Sequence, residues 1–245
     1  MKILDCNTVF GGIRKEAEFY DPLDVLKLMD KAGIDQALTA STIGYLGNDV
    51  LANDETAAIC SSEKRLLPVG TINPTTYTDV EQEIIKRKEQ KFVAFRLFTE
   101  HYDVDFESMM IKDYFSLLEK HNMPLIVSAS DMKLSANYLD GIARRALDVS
   151  IPVIVLNVTA YKTASLIECA KYVPNLYFAT RLLYLFGGLE YLCETIGSER
   201  LVLGSGIPYH YAMQSIYYIH RADIQDSDRE NILYKNLERV ILHDN

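Results

Sequence analysis

Short apolar runs alternate along this chain with longer segments whose apolar residues recur at helical spacing, and small or polar residues separate the two. A short run bounded by turn residues reads as a buried strand, and the periodic segment after it reads as a covering helix. The predicted strands are residues 2–5, 36–39, 65–71, 92–98, 124–127, 152–156, 176–180 and 200–203. The predicted helices are residues 21–32, 49–61, 80–90, 111–121, 134–148, 161–172, 189–196 and 229–242, the last after an acidic break at residues 223–228. In the first helix Leu23, Val25, Leu26, Leu28 and Met29 lie largely on one side, Asp21 and Pro22 suit its start, and Gly33 ends it.

About eight strand-and-helix units in 245 residues predict an α/β fold, a single (β/α)8 TIM barrel over residues 1–245. An open doubly wound sheet is the alternative use of the same units. Against it, no G-x-G-x-x-G turn follows the first strand, where a dinucleotide would bind.

Charge narrows the partners. A formal net charge of -9, with the Lys and Arg residues dispersed, argues against nucleic acid, whose phosphates are held by clustered cations. No run approaches the about 18 apolar residues that span a bilayer, so no membrane partner is expected. The start of the chain lacks a basic segment followed by a long apolar one, which predicts a cytoplasmic protein. Cys6, Cys60, Cys169 and Cys193 form no C-x-x-C pair, which argues against a structural zinc site and a disulfide framework.

In a barrel of this kind the chemistry gathers where the strands end, because all of them point one way and their following loops share one mouth. The strand ends read Asn7, Thr39, Asn73, Arg96, Ser128, Asn157, Arg181 and Ser205, a set of amides, hydroxyls and two guanidinium groups. The last strand enters a small-residue turn, Leu203-Gly204-Ser205-Gly206-Ile207-Pro208.

These strand ends, taken in order, resemble the amidohydrolase-related branch of the metal-dependent hydrolase superfamily. Its opening I-I-D-x-H-x-H-x-G is similar to Ile3-Leu4-Asp5-Cys6-Asn7-Thr8-Val9-Phe10-Gly11. Its strand ending near a Lys resembles Ala94-Phe95-Arg96-Leu97, its L-P-V-x-x-H resembles residues 123–128, and its V-V-x-x-H resembles Ile154-Val155-Leu156-Asn157. Residues 196–205 resemble the run that ends in G-S-D-x-P, and residues 232–237 its closing I-L-x-x-N-A helix, so the likeness spans the chain.

The departures fall on the chemistry. Asn7 and Val9 replace the first-strand histidines, Ser128 and Asn157 replace the later two, and Gly206 stands where the family has its aspartate. Amides and a hydroxyl are poor substitutes for imidazoles and a carboxylate, so we expect no catalytic zinc, no cofactor, and no metal-bound hydroxide. The resemblance also implies oligomers, usually homodimers.

Asn7 and Asn157 suit either a ligand or mutual satisfaction. Arg96 and Arg181 suit a carboxylate or phosphate held bidentately, or pairing with Glu100, Asp103 or Asp131. Ser128 and Ser205 complete the candidate binding set, and neither they nor Ser130 lie in a G-x-S-x-G elbow. His210, after the closing turn, is the candidate acid or base, with His101 behind it; His121, His220 and His243 read as structural. Cys6 reads as packing. Tyr209, Tyr211, Tyr217 and Tyr218, with Tyr161, Tyr184 and Phe186, suit a pocket lining or a subunit contact.

Two main readings remain open. In one, the protein hydrolyses an amide, lactone or similar bond of a small anionic molecule without a metal: Arg96 binds the anion, Asn7, Ser128 and Asn157 position it, and His210 moves protons. In the other, it binds a small molecule or protein without catalysis. A third and weaker reading is a shifted metal site using Asp5, Glu100, His101 or His210.

Overall fold

Backbone pairing bends the predicted strands into one closed cylinder. The computed structural model describes residues 1–12, 19–99, 101–102, 104–129 and 138–242. Its strands are β1 (Leu4–Phe10), β2 (Gln36–Ser41), β3 (Leu66–Thr71), β4 (Ala94–Phe98), β5 (Leu125–Ser128), β6 (Val153–Leu156), β7 (Leu176–Ala179) and β8 (Leu201–Val202). Each is parallel to the next in sequence order. The ring closes where the N–H of Cys6 donates to the Leu203 carbonyl at 3.0 Å, that of Gly206 to Asn7 at 2.9 Å and that of Val9 to Ile207 at 3.2 Å. This is the predicted TIM barrel, and every residue of β1, β4, β5 and β6 is buried, as expected of strands covered on both faces.

The helices α1 (Pro22–Ala32), α2 (Asp49–Ser62), α3 (Val80–Glu89), α4 (Met109–Lys120), α5 (Tyr138–Leu147), α6 (Thr163–Tyr172), α7 (Gly188–Ile196), α8 (Ala212–Arg221) and α9 (Asp226–Glu230) lie outside the ring. Local chemistry fixes their ends: the Asp21 carboxylate accepts the N–H of Asp24 to cap α1, and Gly33, left-handed at φ 69°, closes it. No described helix is long and apolar enough to cross a membrane.

Sequence expectation and structure differ in four places. β1 runs on through Phe10 rather than opening into a loop after Asp5, because its polar Asn7 and Thr8 find partners across the closing seam and on β2. The small polar loop after β2 is a 3₁₀ turn, Thr42–Leu46, capped by the Ser41 hydroxyl. Helix α8 was not expected: Ala212, Ser215, Ile216 and Ile219 form its buried stripe inside the segment read as an aromatic cluster. The final helix begins at Asp226, not 229, and continues as wider π turns at Asn231–Lys235 and Glu238–Leu242. Residues 134–137 of the fifth predicted helix lie outside the described residues.

One polar network ties α2 and α3 to the barrel. Asn53 exchanges hydrogen bonds with the backbone of Thr71 (2.9 and 2.7 Å) and donates to Glu83 (2.8 Å), which also accepts from Nε of the fully buried Arg87 (2.6 Å). Every polar atom so placed has a partner, the condition for burying charge beneath helices.

Candidate functional site

Strand direction carries seven of the predicted residues to the C-terminal end of the barrel, where they form three connected groups. Arg96, near the end of β4, crosses the interior. Its Nε donates to the Ser128 hydroxyl on β5 (2.7 Å), its Nη2 to the Asn7 amide oxygen on β1 (3.0 Å) and its Nη1 to the Thr8 carbonyl (3.4 Å). The guanidinium lies 4.7 Å from the ring centre of Phe98, two residues on and therefore on the same face of the strand. Arg96 and Asn7 are each 4% exposed and Ser128 is fully buried, so this group forms the floor of the mouth.

The second group joins the ends of the ring. Ser205 donates its N–H to Oδ1 of Asp5 at 2.9 Å and its hydroxyl to Oδ2, while the Asn7 N–H also donates to Oδ1 at 2.9 Å. Asp5 is fully buried; desolvation pushes its carboxyl up, against the Ser205 and Asn7 hydrogen bonds and the nearby Arg96 charge, which pull it down. Three donors from both ends of the ring meet its oxygens, so Ser205 acts here as a strand tie.

The third group stands nearer solvent. Arg181, after β7, donates from Nη1 to the Asn157 amide oxygen (2.5 Å) and lies with Nη2 2.6 Å from Nε2 of His210. A guanidinium has only donors, so Nε2 is the acceptor and the ring proton sits on Nδ1. His210 keeps an exposed edge, yet partial desolvation and then the Arg181 charge push its imidazole down to about 4. Gly206 makes this contact geometrically permissible: a Cβ there would lie 2.9 Å from both Arg181 Nε and His210 Cδ2, and its φ of 81° is left-handed.

His101 is not part of these groups; it is exposed and stacks on Tyr45, with ring centres 4.3 Å apart, and Tyr45 meets Phe98 edge-on at 4.2 Å. Asn73 is a loop residue whose side chain accepts from Thr75, and whose N–H donates to a buried Asp49. Thr39 has a buried hydroxyl with no partner among the described residues. Burial pushes the Cys6 thiol well up, in keeping with packing. The tyrosines divide: Tyr209 and Tyr218 donate to backbone carbonyls of Gly11 and Leu183, and Tyr184 pairs with Ser215 of α8, whereas Tyr161, Tyr211, Tyr217 and Phe186 are exposed. Glu100, Asp103, Ser130, Asp131 and His243 lie outside the described residues. Asp5 and Phe98 entered no candidate binding set, although the period-two spacing of 5 with 7 and of 96 with 98 was the signal available.

Among the described residues, no three His, Cys, Asp or Glu side chains converge as metal ligands. The groups that do converge can hold an anion, orient a polar ligand and offer one neutral imidazole near neutral pH.

No protein-family model matches the sequence, and no curated protein matches it. Solved structures do. A protein assigned as an amidohydrolase from Staphylococcus aureus superposes with a TM-score of 0.77 at 10% identity, covering 98% of this chain and 99% of the other. A 5-carboxyvanillate decarboxylase from Novosphingobium aromaticivorans, solved with manganese and a nitrobenzoic acid, gives 0.76 at 13% identity over 97% and 95%. A protein assigned as a 2-pyrone-4,6-dicarboxylic acid hydrolase from Acinetobacter baumannii, solved with citric acid bound, gives 0.71 at 15% identity over 98% and 99%. At such identities the likeness establishes the fold: over nearly its whole length the chain is a TIM barrel of the shape shared by these enzymes.

Proposed function

We propose that this barrel, related to the amidohydrolases, binds a small carboxylate at its mouth and does so without a divalent metal. One observation carries the reading: Arg96 is buried, yet its three hydrogen bonds go to an amide, a hydroxyl and a backbone carbonyl, all neutral. A buried cation is costly unless an anion compensates it. Asp5 lies near enough to offset part of that charge, but its carboxylate accepts from Ser205 and Asn7, and no hydrogen bond or ion pair joins it to the guanidinium among the described residues. A ligand carboxylate would supply that direct pairing, and two N–H groups of the five on a guanidinium lie beyond those three bonds. That the similar structures include a decarboxylase of an aromatic acid and one holding citric acid agrees with a carboxylate.

The donor set does not fit a divalent cation. Asn7, Ser128 and Asn157 offer neutral oxygens, Gly206 offers no side chain, and a guanidinium stands hydrogen-bonded to two of those positions. No step of the function is therefore routed through a metal.

Thermal unfolding tests the reading. Benzoate at about tenfold above its Kd should raise Tm by about 3–5 °C. Arg96→Met, checked for fold by circular dichroism, should remove that shift, and no shift from benzoate or citrate in the unaltered protein overturns the proposal. Hydrolysis of an ester, lactone or cyclic amide is the second reading, favoured by the neutral imidazole of His210 beside Asn157 and Arg181. It requires turnover that His210→Asn lowers.

A further inference from the structure

The end of the barrel opposite the mouth holds a cavity of about 290 Å³. Phe92 leads into β4 beside it, Pro124 into β5 and Pro152 into β6, while Tyr177 of β7 and the π turn Glu238–Leu242 complete its wall. The N-terminal end of such a barrel ordinarily serves stability, and these apolar residues fit that role. Its charged groups do not.

Among the described residues, the charged side chains that line the cavity are Lys88 and Arg239, both positive. Lys88 Nζ donates to the His121 carbonyl at 2.6 Å, and Arg239 Nη2 donates to the Glu199 carbonyl at 3.1 Å and the Asn236 amide oxygen at 3.2 Å. All three acceptors are neutral, and neither cation forms an ion pair among the described residues. An ammonium carries three donors and a guanidinium five, so two N–H groups of Lys88 and the Nε and Nη1 groups of Arg239 lie beyond these bonds. A third cation stands behind the wall. The Arg200 guanidinium lies 5.5 Å from the Tyr177 ring centre, near enough to feel the charges of Glu199 and Arg239, and it bonds to the carbonyls of Val173 and Leu176. In a chain of net charge -9, cations gathered at one cavity without a lining acid make a local positive potential that favours an anion.

The geometry points to a second binding site, at the N-terminal end of the barrel, for a small phosphate monoester with an apolar body. Two cations suit a dianion, and a phosphate monoester concentrates a charge of about −1.5 to −2 near neutral pH on one compact group. The walls choose the rest of the ligand, because Phe92, Tyr177 and the two prolines offer apolar surface that inorganic phosphate cannot use. The site shares no residue with the Arg96 group, so its failure leaves the carboxylate reading standing.

Calorimetric titration with phenyl phosphate, inorganic phosphate and phenol tests it. Phenyl phosphate should bind at least about tenfold more tightly than either fragment, since it alone meets both the cations and the walls. Arg239→Met and Lys88→Met, both at exposed positions, should each weaken it about tenfold, whereas Arg96→Met should leave it within about twofold. Affinity should also fall between pH 8 and pH 5, as the ester loses its second charge near a pKa of about 6. Amide resonances of Phe92 and Ile241 should move on titration. No binding of phenyl phosphate overturns the inference, and so does an affinity equal to that of inorganic phosphate, which makes the cations ordinary surface charge. Binding lost in Arg96→Met and kept in Arg239→Met puts the ligand at the mouth and overturns it as well.

Discussion

His210 shows how partial burial and one charged neighbour together set the chemistry of a side chain. Its Nε2 accepts from Arg181, so protonating it means breaking that bond and placing a second positive charge beside the first. Partial burial and that charge bring its folded value down from 6.5 to about 4. For a group with a depressed folded value, the unfolded chain binds the proton more readily, so the stability contribution is present above 6.5 and is lost as pH falls toward about 4. Imidazole resonances followed by NMR should show a midpoint near 4 in the unaltered protein, and Arg181→Met should move it back toward 6.5. A midpoint already near 6.5 without the substitution sinks the account. The strand-end rule named Asn7, Arg96, Ser128, Asn157 and Arg181 from sequence, because position along a strand is a local property, and His210 was picked out as the histidine that follows the closing turn. Which of them touch was not legible: Arg96 and Asn7 are 89 residues apart, and their pairing depends on ring closure.

At the scale of elements, the α2–α3 network makes a sharper demand on stability than the site does. Glu83 accepts from both Asn53 and the fully buried Arg87, whose Nη1 also meets the half-exposed Asp54 at 2.6 Å. Removing Glu83 leaves the buried Arg87 with only the half-exposed Asp54 to compensate it, so Glu83→Ala should cost about 3 kcal/mol in urea unfolding. The double variant Glu83→Leu with Arg87→Met should lose less than the sum of the singles, because no lone charge remains; strict additivity would show that the two residues do not act as a pair. Strands and most helices were readable beforehand because their apolar periods of two and of 3.6 are local signals. Helix α8 was missed since its exposed Tyr217 and half-buried Tyr218 masked the stripe formed by Ser215, Ile216 and Ile219. The extension of β1 was missed because Asn7 and Thr8 read as a turn until their partners across the sheet are known.

For the whole molecule, closure depends on a short seam. β8 has two residues, and the carboxylate of Asp5 does much of the joining by accepting from Ser205 twice and from Asn7 once. Asp5→Ala would strand three buried donors and should cost about 3 kcal/mol or more, with faster amide exchange at Cys6 and Gly206; Asp5→Asn, which keeps one acceptor, should cost less. Unchanged exchange at those two amides in Asp5→Ala would refute the seam. Because burial raises the Asp5 value, its ionised form is a burden at neutral pH, and stability should gain from this group as pH falls through the raised value. Arg96, bonded to groups on β1 and β5, adds a consequence of another sort. A guanidinium stays protonated throughout the physiological range. The cation at the centre of this mouth is therefore translated with the chain: it needs no loading step, no chelator withdraws it, and its occupancy does not follow the supply of any ion.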